Sequence, residues 1–181
     1  LLNYVAFALT WLIFMGWFSE MYDASKHYWT VLGFSLAFFL VFYGVLVSYK
    51  FLRNTPFSIW EVALLLINAF VFFGIGYWTI WEGLPGQDGS YISGQRFLGL
   101  FSLGNAVLHF GVAAAFYRRK LADKNIFFLI AGLVLTFLTI TIPVQLEGNW
   151  VTLLWAVEAV LLFWVGQREG ARFYQWLALP L

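Results

Sequence analysis

Two acidic side chains, Glu61 and Glu158, lie within long apolar stretches of the sequence. A charged group in the hydrocarbon of a membrane is costly, so such residues are the first candidates for proton or ligand chemistry. Glu61 completes the pattern Ser58-x-x-Glu61 before an apolar run, which is typical of a capping box at a helix start. That pattern explains Glu61 structurally, and Glu158 is left as the stronger candidate for a functional acid.

Glu158 has potential partners on two other apolar segments. Asn105 and His109 are four residues apart and would share one helix face, and Asn68 lies at a comparable depth. Glu158 follows Trp150 by eight residues, which is about 12 Å along a helix and close to the centre of a core about 30 Å thick. We therefore predict a candidate intramembrane polar site, linked to a proton or a ligand, formed by Glu158, His109, Asn105 and Asn68.

A packing role is the alternative for this polar cluster. Polar side chains often join membrane helices by hydrogen bonds worth about 0.6 kcal/mol each on average. Such a network would fix the arrangement of the helices without any proton or ligand. The sequence leaves the two explanations open.

The sequence contains few of the residues that other chemistries need. It has no cysteine and only 2 histidines, which excludes disulfides, thiolate nucleophiles and iron–sulfur clusters and argues against a zinc site. The glycine-rich loop 83–94 lacks the Gly-Lys-Ser/Thr of a phosphate loop, and there is no His-Glu-x-x-His or Gly-x-Ser-x-Gly pattern. We predict no catalytic residue, no metal and no cofactor.

The composition indicates which elements must hold these residues. The 181 residues are 62% hydrophobic and 10% charged, with a formal net charge of +1 and a mean hydropathy of +0.82. Soluble domains are about 45–50% apolar and about 25% charged. This contrast excludes a soluble globular domain, a disordered tail and a nucleic-acid-binding protein. Long continuous apolar runs favour membrane helices over β-barrel strands, which alternate apolar and polar residues.

We therefore predict an all-α, polytopic transmembrane bundle that forms a single domain over residues 1–181. Its six spanning helices are expected at Asn3–Phe18, Tyr28–Tyr49, Ile59–Trp81, Phe97–Tyr117, Ile126–Ile142 and Trp150–Gly166. Residues 173–181 would begin a seventh helix. Because both ends of the sequence are apolar, we expect the chain to be part of a longer multi-pass protein.

Basic residues predict the orientation of the bundle. Eight of the 10 basic residues fall in every second connection, after the second, fourth and sixth apolar segments. These residues are Lys50, Arg53, Arg118, Arg119, Lys120, Lys124, Arg168 and Arg172. Basic connections stay in the cytoplasm by the positive-inside rule. The N-terminal end is therefore expected in the cytoplasm, and the connections around Asp23, Asp88 and Glu147 outside.

The fifth apolar segment contains three hydroxyl groups, those of Thr136, Thr139 and Thr141. Hydroxyls within a helix can donate to carbonyl groups of the preceding turn and then need no ligand. Pro143 is expected to end this helix or to kink it, because proline has no N–H to donate.

Small and aromatic residues predict contacts inside the bundle. Gly74, Gly76 and Gly111 would allow close approach of neighbouring helices. Trp11 and Trp155 lie far from the predicted membrane surfaces, so we expect them to pack against other helices.

One part of the sequence resembles a known family. Residues 142–150 read Ile-Pro-Val-Gln-Leu-Glu-Gly-Asn-Trp, and residues 153–159 read Leu-Leu-Trp-Ala-Val-Glu-Ala. This pattern, together with segment 64–73, resembles the bacterial predicted membrane proteins of the domain of unknown function 2339 family. The resemblance implies Pro143, Trp155 and Glu158 as signature positions, a long chain with many helices, and a bacterial inner-membrane location. It implies no activity.

Three functions stay open at this point. The first is a structural or assembly module of a larger envelope protein. The second is a transporter-like domain with a protonation-linked site at Glu158 and His109. A membrane enzyme acting on a lipid-linked substrate ranks third, since no catalytic pattern supports it. The expected partners are membrane lipids and the remaining helices of the full-length chain, and any small-molecule ligand is unknown.

Overall fold

A computed structural model describes residues 2–53, 55–85, 91–92, 94–118, 124–146, 149–168, 170 and 172–179. Seven helices account for nearly all of these described residues. They are α1 (Leu2–Met21), α2 (Ala24–Arg53), α3 (Ile59–Glu82), α4 (Gln95–Arg118), α5 (Lys124–Gln145), α6 (Asn149–Arg168) and α7 (Arg172–Ala178). Between α3 and α4, β1 (Leu84–Pro85) pairs antiparallel with β2 (Tyr91–Ile92).

Helices α1 to α6 are each long and apolar enough to cross a membrane. A spanning helix needs about 20 largely apolar residues, and the short α7 falls below that length. The predicted all-α polytopic bundle is therefore confirmed. Parts of the predicted outer connections, including Asp88 and Glu147, and the basic residues Arg119 and Lys120 lie outside the described residues.

The helices extend beyond the apolar segments that predicted them. Helix α2 begins at Ala24 and ends at Arg53, whereas its apolar segment covers Tyr28–Tyr49. Hydropathy marks only the part of a helix that lies in hydrocarbon, while its hydrogen bonding continues into the polar boundary.

Asp23 caps the start of α2. Its Oδ1 accepts hydrogen bonds from the backbone N–H and the hydroxyl of Ser25, at 2.9 and 2.6 Å. These bonds, with the nearby Lys26 ammonium, hold the pKa of Asp23 below its ordinary value. The carboxylate thus stays ionised at the helix N-terminus, where a negative charge is favourable.

The predicted capping box at the start of α3 is confirmed. The Ser58 hydroxyl accepts from the Glu61 N–H, and Glu61 Oε2 accepts from the Ser58 N–H at 2.7 Å. The same carboxylate lies 2.9 Å from the ammonium of Lys50, which also donates to the carbonyl of Pro56. Glu61 therefore fixes the connection between α2 and α3.

Aromatic side chains fill much of the centre of the bundle. Phe39 of α2 stacks on Phe72 of α3 with ring centroids 4.6 Å apart, and Phe137 of α5 packs against Phe73. Trp11 is buried as predicted. Such aromatic pairs are worth about 0.5–1.5 kcal/mol beyond the area they bury.

Gly76, but not Gly74 or Gly111, provides the predicted close helix contact. A Cβ built on Gly76 would overlap the ring of Phe101 on α4, whereas Gly74 and Gly111 have nothing within 4 Å. The interpretation of Gly74 and Gly111 as packing residues was wrong, because their positions on α3 and α4 face open space. Helical spacing alone does not say which glycine faces a neighbour.

This difference gives a matched pair of substitutions. Gly76→Ala should destabilise the protein by about 1 kcal/mol or more relative to Gly74→Ala, because only the first overpacks the α3–α4 contact. Gly74→Ala should be neutral or slightly stabilising, since alanine favours helix over glycine. Unfolding in mixed micelles, followed by tryptophan fluorescence, measures both. Equal effects at the two positions would contradict the close contact between Gly76 and Phe101.

Candidate intramembrane polar site

Glu158 lies on the inner face of α6. Helix α6 buries Glu158, Leu162 and Gly166, which are spaced by four and form one stripe toward the bundle. Glu158 is 8% exposed. Its Oε1 lies 2.6 Å from the hydroxyl of Thr139 on α5, and its Oε2 has no hydrogen-bond partner among the described residues.

Thr139 is the point where α5 meets α6. Its hydroxyl also lies 2.9 Å from the carbonyl oxygen of Leu135, one turn earlier in α5. Its own carbonyl accepts a hydrogen bond from the indole N–H of Trp155 at 3.4 Å, a weak bond because it is longer than the usual range of about 2.7–3.2 Å. Two side chains of α6 therefore bind one residue of α5.

Pro143 explains why the carbonyl of Thr139 can accept this bond. In a helix the N–H of residue i+4 normally donates to the carbonyl of residue i, and Pro143 occupies that place for Thr139 without an N–H. Pro143 does not end the helix, since α5 continues to Gln145. The Trp155 indole instead supplies a donor to the carbonyl that the proline leaves free.

We call Thr139, Pro143, Trp155 and Glu158 the Thr139 hub. A threonine hydroxyl has a single proton, and a carbonyl oxygen can only accept. Thr139 Oγ1 lies within hydrogen-bond distance of both Leu135 O and Glu158 Oε1. Its one proton is either shared between the two oxygens or given to Leu135, in which case a protonated Glu158 donates to Thr139. The geometry of the hub therefore suits a neutral carboxyl group at Glu158, which also avoids an unpaired charge between membrane helices.

Glu158 also borders a large apolar cleft between α4, α5, α6 and α7. The cleft has a volume of about 770 Å³, within the range of about 300–1,000 Å³ for ligand pockets. Aliphatic and aromatic side chains form nearly all of its lining, and Glu158 is the acidic member. His109, Asn105 and Asn68 do not line it.

His109 lies in a separate aromatic environment. It is fully buried, its ring stacks on Tyr43 at 5.2 Å, and it also packs against Phe39 and Phe137. Neither ring nitrogen has a hydrogen-bond partner among the described residues. The surroundings of His109 are those of an aromatic core residue.

Asn68 and Asn105 make different contacts. Asn68 Oδ1 accepts from the indole N–H of Trp11 at 3.0 Å, and Asn68 Nδ2 donates to the carbonyl of Phe39 at 3.0 Å. Asn68 thus joins α1, α2 and α3. Asn105 Nδ2 donates to the carbonyl of Phe101 in its own helix, at 2.9 Å.

The four residues of the predicted site therefore make four different sets of contacts and do not form one cluster. Among the described residues, no hydrogen bond joins any two of Glu158, His109, Asn105 and Asn68. The structure instead unites the three signature positions that the resemblance implied: Pro143, Trp155 and Glu158. No cluster of three metal-binding side chains occurs in the part of the chain that is described.

Thr139 is the site residue that sequence reasoning missed. All three threonines of α5 do bond back to the preceding turn, as predicted, at 2.7–2.9 Å. Only Thr139 lies four residues before Pro143, and that spacing was the available signal. A proline within an apolar helix frees one specific carbonyl, and the residue carrying it needs a donor from outside.

Comparison with known proteins agrees with the resemblance noted from the sequence. The model of the family described as predicted membrane protein (DUF2339) matches residues 1–181. No significant match occurs among curated proteins or among solved structures. With six apolar spanning helices and a family match over its whole length, this chain is a multi-pass membrane protein that belongs to the DUF2339 family.

Proposed function

We propose that this chain is a structural module of a larger envelope protein in the bacterial inner membrane. The observation that carries the proposal is the Thr139 hub, in which Pro143, Trp155 and Glu158 all serve one joint between α5 and α6. Asn68 serves a similar joint between α1, α2 and α3. Glu158 and Asn68 are thus buried polar groups that hold helices together, as expected of a scaffold.

Exposed apolar faces of the helices indicate what such a module would contact. Helix α1 buries only Phe7, Trp11 and Phe14, and Leu12 and Ile13 are largely exposed. In a membrane these faces contact lipid or further helices, because exposing an apolar side chain to lipid tails has no hydrophobic cost. We propose membrane lipids and the remaining helices of a longer chain as the partners of this surface.

A transporter-like domain is the second candidate function. The cleft beside Glu158, and the unpartnered Oε2 at its wall, favour it. A transport site would also need a polar route for its substrate, whereas the lining of the cleft is almost wholly apolar. His109, the other proposed proton carrier, lies outside this cleft.

Proton-dependent flux distinguishes the two functions. For a structural module, proteoliposomes should show no pH-driven solute or proton flux above empty liposomes, and His109→Phe should leave stability within about 1 kcal/mol because the ring nitrogens make no hydrogen bonds. A flux that Glu158→Gln and His109→Phe both abolish, in variants as stable as the wild type, would establish the transporter instead. Phe137→Leu serves as an aromatic-core control without a titratable group.

Labelling from outside the cell tests the proposed orientation. The sequence has no cysteine, so single cysteines can be placed without background. With the N-terminal end in the cytoplasm, Lys26→Cys should react with a membrane-impermeant thiol reagent, and Thr55→Cys should react only after the membrane is opened. Both side chains are exposed, so burial would not explain a difference. The reverse pattern would overturn this orientation.

A further inference from the structure

The apolar cleft ends at a group of aromatic residues near three arginines. Tyr117, Phe127, Val165 and Tyr174 line this end, where α4 and α6 finish and α5 begins. Arg118 follows Tyr117 directly, Arg168 comes three residues after Val165, and Arg172 comes two residues before Tyr174. Each of the three arginines is therefore at most three residues in sequence from a side chain that lines this end of the cleft.

Among the described residues, the three arginines have no acidic partner. Arg118, Arg168 and Arg172 are exposed, and none forms an ion pair with another described residue. Arg168 lies 5.2 Å from the ring of Trp164, a contact that leaves its charge unneutralised. Basic residues at the mouth of a pocket between membrane helices are suited to anionic lipid head groups.

The cleft has the length and chemistry needed for a hydrocarbon chain. On α6 its lining extends from Leu154 to Val165, which corresponds to about 16 Å of helix. The lining along this length is almost wholly apolar, so an acyl chain lying along it would lose no hydrogen bond.

We propose that this cleft binds an acyl chain of an anionic phospholipid, with the phosphate held by Arg118, Arg168 and Arg172. Tyr117 and Tyr174 would lie at the level of the glycerol backbone, the depth that tyrosine prefers in a membrane. Glu158 lies ten residues before Arg168, about 15 Å deeper, so it borders the chain and not the phosphate. This lipid site goes beyond the structural role, because a helix joint at Thr139 does not require it.

Binding of defined lipids to the purified protein tests the site. Detergent-solubilised protein is titrated with dioleoyl phosphatidylglycerol or dioleoyl phosphatidylcholine, and binding is followed by native mass spectrometry and by thermal stability. We expect at least tenfold tighter binding of phosphatidylglycerol. Glycerol 3-phosphate, which has the phosphate without a chain, should not stabilise the protein.

Two kinds of variant separate the head group from the chain. Arg118→Gln, Arg168→Gln and Arg172→Gln should each weaken phosphatidylglycerol binding about fivefold, and Arg53→Gln, an exposed arginine at the end of α2, is the matched control. Ala131→Phe fills the cleft without changing charge and should weaken binding of both lipids. Equal affinity for the two lipids, or unchanged binding in the arginine variants or in Ala131→Phe, would overturn the proposal.

Discussion

Replacing Asn68 by leucine should lower the stability of the protein by about 2 kcal/mol. Asn68 is 1% exposed and forms hydrogen bonds with Trp11 and with the carbonyl of Phe39, each 3.0 Å long. Leucine has a similar volume but accepts no hydrogen bond, so the buried indole N–H of Trp11 would lose its partner. Leaving a buried donor unsatisfied costs about 1–3 kcal/mol.

Asn105 provides the matched control for this substitution. It is also buried, at 5% exposure. Its amide donates to the carbonyl of Phe101 in its own helix, and that carbonyl can keep its backbone partner without the side chain. Asn105→Leu should therefore cost less than half as much as Asn68→Leu. Reversible unfolding in mixed micelles measures both.

A double-mutant cycle identifies the bond responsible. Trp11→Phe combined with Asn68→Leu should show a coupling of about 0.5 kcal/mol or more, since both variants remove the same bond. Equal losses for Asn68→Leu and Asn105→Leu, with no coupling to Trp11, would contradict the role of Asn68 as a joint between three helices.

The fold could be predicted largely from composition because a bilayer permits few structures. Long apolar runs must form helices there, so their number and order follow from the sequence. The ends of α2 could not be placed in the same way, since helical hydrogen bonding continues past the apolar run to Ala24 and Arg53. The capping box at Ser58 and Glu61 was predictable because it depends on neighbours in sequence.

The candidate site was harder to predict because it depends on rotation of each helix about its axis. Depth along the chain placed Glu158, His109 and Asn68 at similar levels, but depth does not say which helices are adjacent. The structure directs His109 toward Tyr43 and Asn68 toward Trp11. Glu158 instead meets Thr139, a residue whose hydroxyl already has a local explanation in its bond to the preceding turn.

Pro143 shows how a sequence signal can point to a site. A proline inside a membrane helix leaves one carbonyl without its usual donor, and the membrane offers no water to replace it. The carbonyl is that of Thr139, and the donor is Trp155 from the next helix. The proline, the tryptophan and the acid thus belong to one joint although they are spread over 16 residues of sequence.

Thr139→Val should destabilise the protein by about 1–2 kcal/mol, whereas Glu158→Gln should change its stability by less than about 0.5 kcal/mol. Valine keeps the shape of threonine but removes the hydroxyl that meets Glu158 Oε1. That change leaves both carboxyl oxygens of Glu158 without a partner at 8% exposure. Thr139→Ser keeps the hydroxyl and is the matched control.

The small effect of Glu158→Gln follows from the number of protons in the hub. When Thr139 gives its proton to Leu135, a neutral Glu158 acts as the donor to Thr139, and a glutamine amide can donate from nearly the same position. Glu158→Leu leaves the Thr139 hydroxyl with its bond to Leu135 and strands no buried polar group, so it should lose less stability than Thr139→Val. An ionised Glu158 would instead accept a charge-assisted hydrogen bond from Thr139, which is roughly twice as strong as the bond to a neutral glutamine oxygen, so Glu158→Gln would then lose stability. Unfolding of these four variants therefore distinguishes a neutral carboxyl group at Glu158 from an ionised one.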